Sequence, residues 1–188
     1  MNEVLRLQSL LLGRSVKTGS FTLSSGAISS YYIDARKTTM TAEGQALIGK
    51  VCYDRILETG WNPTHVGGLT LGADPVAYAI AHHSFGHTGP TLDGFTVRKE
   101  AKKHGTGRQI EGGVPAGANV VVLEDIVTTG KSAFQAIEAI RSADMCVVGV
   151  LCLVDREEGG RAKLEKELPF EAIFTKTQLL QQQKLSSL

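Results

Sequence analysis

Apolar positions along the chain follow two periods, and the elements they predict alternate. Val4, Leu7 and Leu11 fall at helical spacing over residues 3–12, and Gly13 reads as the stop of a first helix. Two short β-like pieces, 21–23 and 31–34, flank the turn Ser24-Ser25-Gly26. Over 41–58, Leu47, Ile48, Val51, Cys52 and Ile56 form one helical face, with Thr41 as N-cap and Gly60 and Pro63 after it. A strand at 64–69 then leads through a Gly-rich turn into a helix carrying Val76, Ala77, Ile80 and Ala81, with Asp74 as its cap and Pro75 in its first turn. Further strands are predicted at 92–97, 120–123, 145–154 and 170–175, with helices at 131–141 and 160–167 and a Gln-rich tail helix. Continuous β-branched runs bounded by polar residues belong to strands buried on both faces, so the expected fold is α/β: a mainly parallel central sheet flanked by helices.

The most informative stretch is 119–137, NVVVLEDIVTTGKSAFQAI. Its apolar run ends in Glu124 and Asp125, followed by a small-residue turn and the start of an amphipathic helix. In that turn, Val127-Thr128-Thr129-Gly130 allows several backbone N–H groups to converge on one anion at the helix N-terminus, and Lys131 and Ser132 add a cation and a hydroxyl. That is the grammar of a phosphate site. Like charges repel, so the two carboxylates must face something bound beside the phosphate, either sugar hydroxyls or a metal ion. Gly130-Lys131-Ser132 also ends a P-loop pattern, but the first glycine of that pattern would fall at 125, where Asp125 stands.

The turn Thr70-Leu71-Gly72-Ala73-Asp74-Pro75 is a second strand-turn-helix unit able to hold a second anion. Residues 98–113 bring together five Arg or Lys side chains, His104 and four glycines with no apolar stripe, which suits a closing lid over an anionic ligand. Arg156 follows a strand at the sheet edge where ligands bind in open α/β folds, placed to grip a carboxylate unless Asp155 or Glu157 holds it. Near the N-terminus, Tyr31, Tyr32, Asp34 and Arg36 have ligand-binding chemistry, although hairpin packing and a surface ion pair account for them equally well. His82, His83 and His87 are read as a solvated helix end rather than a metal site, because Gly86 interrupts the helix and no fourth ligand is near in sequence.

Composition narrows the function class. With 188 residues the chain forms one domain, 1–188, and 20 Lys and Arg against 19 acids leave no footprint for sequence-independent nucleic-acid binding. Cys52, Cys146 and Cys152 lack metal or redox spacing and are expected as buried free thiols in a reducing cytosol. No apolar run approaches membrane-spanning length and no secretory signal is recognisable, so a soluble cytoplasmic protein without membrane association is expected.

Taken together, these motifs resemble a known family. VVVLEDIVTTGKS is similar to the phosphoribosyl pyrophosphate (PRPP) signature of the type I phosphoribosyltransferases, and RKEAKKHGTGRQIEG resembles the catalytic loop of the orotate phosphoribosyltransferases. FTLSSGAISSYYIDAR and GGLTLGADPVA resemble that family's N-terminal hood, here within 1–40, and its pyrophosphate loop. The resemblance implies transfer of the phosphoribosyl group of PRPP to orotate in pyrimidine synthesis, with Mg²⁺ bound mainly through PRPP, and a homodimer with shared active sites. It places Glu124 and Asp125 on the ribose hydroxyls and the turn Ile126, Val127, Thr128, Thr129, Gly130, Lys131 and Ser132 on the 5′-phosphate. Thr128 and Arg156 would contact orotate, and Arg98, Lys99, Lys102 and His104 the pyrophosphate, with Lys102 and Asp125 acting in catalysis. Ser24 stands where some members carry a substrate-contacting lysine. Two rivals remain: a relative acting on a purine base, which suits the lid and Arg156 less well, and a non-catalytic PRPP-sensing regulator that binds nucleic acid.

Overall fold

The computed structural model describes residues 2–22, 26, 28–100 and 109–185. The chain opens with helix α1 (Glu3–Arg14), followed by the antiparallel hairpin β1 (Val16–Thr22) and β2 (Ile28–Ile33), which is separate from the main sheet. Gly13 does not stop α1; the helix runs one residue further and Ser15 caps it through a backbone N–H to Leu11 O. The hairpin strands are longer than their apolar content suggested, because Lys17, Thr18 and Ser20 are exposed on both sides and carry no burial signal.

A short helix α2 (Arg36–Thr39) then turns the chain into α3 (Ala42–Thr59). Thr41 Oγ1 accepts from the Gly44 N–H at its start, and Gly60 closes it in the left-handed conformation, as the capping pattern requires. The sheet begins with β3 (His65–Leu69), α4 (Ala73–Phe85), β4 (Asp93–Val97) and a two-residue edge strand β5 (Ile110–Glu111). It continues through β6 (Asn119–Val127), α5 (Lys131–Ser142), β7 (Cys146–Asp155), α6 (Gly160–Leu164) and β8 (Phe170–Thr175), and α7 (Lys176–Leu185) ends the described chain.

Strand order is β5-β4-β3-β6-β7-β8, parallel throughout except for β5 at the edge. β3 is buried at every position and β7 nearly so, the burial expected of strands covered on both faces. Alternation along β6 sorts the core: Val121 and Leu123 pack with α1, α3, α4 and α7, while Val120 and Val122 pack with α5 and α6. From β3 the chain crosses by α4 to β4 on one side, and from β6 it crosses by α5 to β7 on the other. The strand order therefore reverses between β3 and β6, and the loops after them part to leave a crevice at the carboxyl edge.

Cys52 and Cys152 are buried free thiols, but Cys146 is exposed at the start of β7, contrary to expectation, because it stands at the strand's solvent end. No helix among the described residues is long and apolar enough to cross a membrane.

Candidate active site

A cleft of about 390 Å³ lies at this crevice, bordered by the turn after β3, the end of β6, the turn after it and the base of the hairpin. β6 does not end at the carboxylates as the apolar run implied. It continues to Val127, held by parallel pairing of Glu124 with Cys152 and Val127 with Asp155 on β7. Glu124 and Asp125 thus stand on adjacent positions of a regular strand, and both border the cleft.

Their environments differ. Glu124 is buried, its Oε1 has no hydrogen-bond partner among the described residues, and burial, reinforced by the charge of Asp125, pushes its carboxyl up to about 8. Burial also raises Asp125, but Oδ1 accepts the Ile126 N–H at 2.9 Å and the Arg36 guanidinium opposes the rise. A buried carboxyl oxygen without a partner among the described residues can accept from a ligand hydroxyl.

The turn after β6 is fixed from behind. The Arg156 N–H donates to Val127 O and the Gly160 N–H to Thr128 O, both at 2.9 Å. Gly130, at φ 83°, caps α5 with no side chain and no acid in the first turn. The first N–H groups of α5 consequently have neither an intrahelical partner nor a competing carboxylate, which is the condition for anion binding. Thr128 and Ser132 border the cleft, Lys131 and Thr129 are exposed, and Val127 packs inward as a support.

Across the cleft, Thr70, Leu71 and Gly72 form the opposing wall, and the Thr70–Leu71 peptide is cis. Gly72 caps α4, so Asp74 is not the cap that the sequence suggested. Its carboxylate instead accepts from Thr70 Oγ1 at 2.6 Å and Thr96 Oγ1 at 2.9 Å, tying the turn to β4. A Cβ on Gly72 would collide with the Asp125 carboxylate and displace it, so glycine here lets the turn approach β6 with Asp125 left in place.

Of the lid cations, Lys99 borders the main cleft. Arg98 faces an adjoining depression beside Tyr78 and Thr96 and pairs with Glu111 at 3.5 Å. Within the 98–113 stretch Arg98 and Gln109 are bonded to each other: the Arg98 N–H donates to Gln109 O and Gln109 Nε2 donates to Arg98 O, both at 2.9 Å. β5 falls inside the stretch that carries no apolar stripe, and it forms through antiparallel pairing with β4. Lys102 and His104 lie outside the described residues, as does Ser24.

Arg156 also borders the cleft, and neither Asp155 nor Glu157 holds it. Asp155 accepts the Glu157 N–H instead, and Glu158 pairs with Arg156 at 2.7 Å. Arg156 Nε is buried without a partner among the described residues, and the guanidinium sits 5.6 Å from the Tyr31 ring centroid. Tyr32, Asp34 and Arg36 border the same cleft, so the hairpin reaches the site even though Asp34 and Arg36 also form an ion pair at 3.0 Å. Two nearby groups escaped the sequence reading: Glu158, and Lys176, whose Nζ lies 5.8 Å from the Tyr31 centroid. Tyr31 OH reaches Glu158 at 3.3 Å across the fold, a contact without a local sequence signal.

An open α/β sheet whose switch-point cleft joins two adjacent acids at the end of β6 to the acid-free N-terminus of α5 defines the class of α/β proteins built to take an anionic ligand at that point. A family model described as the phosphoribosyl transferase domain matches residues 39–180. Orotate phosphoribosyltransferase of Aquifex aeolicus (strain VF5) is 48% identical over 184 residues, covering 96% of this chain and 99% of that protein. The enzyme of the same name from Mycobacterium avium (strain 104) is 45% identical, covering 92% and 93% of the two chains. The crystal structure of Mycobacterium tuberculosis H37Rv orotate phosphoribosyltransferase in complex with PRPP is 38% identical, with a TM-score of 0.79 over 95% of this chain and 99% of that one. The chain belongs to the phosphoribosyltransferases and, among them, to the orotate phosphoribosyltransferase family.

Proposed function

We propose that this cleft transfers the phosphoribosyl group of PRPP to orotate, releasing pyrophosphate and forming orotidine 5′-monophosphate in pyrimidine synthesis. The observation that carries the reading is the meeting, in one cleft, of the Glu124–Asp125 pair, the uncapped α5 terminus and Arg156. Each suits a different part of the reacting pair: ribose hydroxyls, the 5′-phosphate and the orotate carboxylate.

Glu124 and Asp125 accept from the ribose 2′ and 3′ hydroxyls, and the turn from Ile126 to Ser132 holds the 5′-phosphate. Thr128 touches orotate, and Arg156 grips its carboxylate by the bidentate pairing that guanidinium geometry favours. Glu158 must then yield its place on Arg156, an exchange of one carboxylate for another. Breaking the C1′–O bond develops positive charge on the ribose and negative charge on departing pyrophosphate. Lys99, Arg98, Lys102 and His104 stabilise the leaving side, with Lys102 the principal catalytic cation, and Asp125 stabilises the ribosyl cation. Closure of the 98–113 lid, with the 1–40 hood opposite, excludes the water that would otherwise capture the ribosyl centre.

Mg²⁺ fits these residues: the unpartnered Glu124 Oε1 and the adjacent Asp125 are hard oxygen donors, the type this ion prefers. Bound mainly through PRPP, Mg²⁺ supplies charge neutralisation on the pyrophosphate. We further propose a homodimer with shared active sites in the cytoplasm. Leu71 on the cleft wall and Tyr78 beside it are 55% and 51% exposed, apolar surface that a second subunit would cover. The test is to mix the protein with Mg²⁺, PRPP and orotate and follow loss of orotate absorbance. Consumption of orotate supports the assignment; consumption of adenine or hypoxanthine in its place would overturn it.

A further inference from the structure

At the far end of α4 from the pyrophosphate turn, Asp54, His83 and His87 converge. One imidazole nitrogen from each histidine and one Asp54 carboxylate oxygen lie within 4.8 Å of one another. The sequence offered only the histidines; packing adds the carboxylate from α3. Several features organise the cluster. α3 and α4 touch closely at Gly49, where a Cβ would collide with Ala79 O and press on the His83 Cβ at 3.0 Å, so the spacing between the helices is fixed. The Tyr53 ring packs edge-on against both imidazoles, with centroids 5.5 Å from His83 and 5.3 Å from His87, and its OH donates to Pro90 O at 2.8 Å. His83 Nε2 is buried with no hydrogen-bond partner among the described residues. An unpaired buried nitrogen is unfavourable unless something binds there.

We propose that Asp54, His83 and His87 form a binding site for a divalent transition metal of the zinc class, with water completing the coordination. Two imidazoles and a carboxylate are a donor set such ions take, and hard Mg²⁺ prefers oxygen-rich surroundings. Tetrahedral ligands about 2.1 Å from an ion sit roughly 3.4 Å apart, so the present cluster must contract by about 1.4 Å. Rotation of Asp54 and the exposed His87 side chain supplies this. Lys50 Nζ, 3.0 Å from Asp54 Oδ2, must leave, but both partners are substantially exposed and such a pair is weak. His83 lies ten residues along α4 from Ala73, a rise of about 15 Å, so the cluster is not the proposed Mg²⁺–PRPP site.

The experiment is titration of the metal-free, full-length protein with Zn²⁺ by calorimetry and with Co²⁺ by visible absorbance, without PRPP. One equivalent should bind and raise the Tm. His83→Gln, His87→Gln and Asp54→Asn should each weaken affinity tenfold or more, while His82→Gln should leave it unchanged. His87 is exposed, so His87→Gln carries the test should His83→Gln fold poorly. Absence of stoichiometric binding, binding that survives His87→Gln undiminished, or binding lost only on Glu124→Gln would overturn the site.

Discussion

Replacing Glu124 with Gln should make the protein more stable at alkaline pH, although it removes a group placed in the substrate site. Burial raises the Glu124 carboxyl from an ordinary value of 4.5 to about 8. Below pH 4.5 the folded and unfolded chains both carry the proton, and stability is unaffected. Between 4.5 and about 8 the unfolded chain ionises while the folded one retains its proton, so stability falls as pH rises; above about 8 the full penalty is present. The gap corresponds to roughly 5 kcal/mol at ~1.4 kcal/mol per pH unit, an upper bound because an ionised carboxylate relaxes toward the cleft opening. Gln stays neutral, so the penalty disappears. For a chain of this length the expected Tm gain at pH 9 is on the order of 5–15 °C, shrinking toward zero near pH 4.5. Thermal melts of both proteins from pH 4.5 to 9 measure it, since other titrating groups cancel in the difference. A Tm difference constant across that range would refute the burial argument, and with it the account of Glu124 as an acceptor kept unsatisfied for ligand hydroxyls.

The other predictions concern catalysis, specificity and capping. Lys102→Ala should lower kcat by two or more orders of magnitude with little change in Tm, as loss of one charge-stabilising group does; near-normal turnover would remove Lys102 from the mechanism. Arg156→Lys keeps the charge but loses the planar fork, so the orotate KM should rise roughly tenfold or more while the PRPP KM holds. Equal rises in both constants would contradict a role confined to the orotate carboxylate. Thr41→Ala removes the acceptor of the Gly44 N–H and should destabilise by about 1 kcal/mol in denaturant melts, leaving kcat unchanged.

Among the elements, those with strong local signals were the ones readable in advance. The α3 caps, the buried β3 and β7 strands and the edge strand β8 are written in neighbouring residues. The continuation of β6 through Glu124 and Asp125 is set by pairing with β7 and β5 by pairing with β4, which a period count over a short window cannot detect, while the hairpin strands pair with each other but bury too few residues to show a period. In the site, the Glu124–Asp125 pair and the turn before α5 could be singled out in advance because each is contiguous in sequence, and both border the cleft. Glu158 on Arg156, Asp74 on Thr70 and Thr96, and Asp54 beside the histidines were not, because each side chain was assigned locally to another task or to none.

By itself the sequence determined the alternation of strand and helix and the two Gly-containing turns that follow β3 and β6, since local spacing encodes them. Only the tertiary structure decided that the two turns face one another. β4 and β7 leave β3 and β6 in opposite directions, which parts the loops, and Gly72 lacks the Cβ that would hold its turn away from Asp125. The same packing separates the two adjacent acids chemically. On a strand covered on both faces, burial holds Glu124 without a partner, while the Ile126 N–H and Arg36 offset part of the burial effect on Asp125.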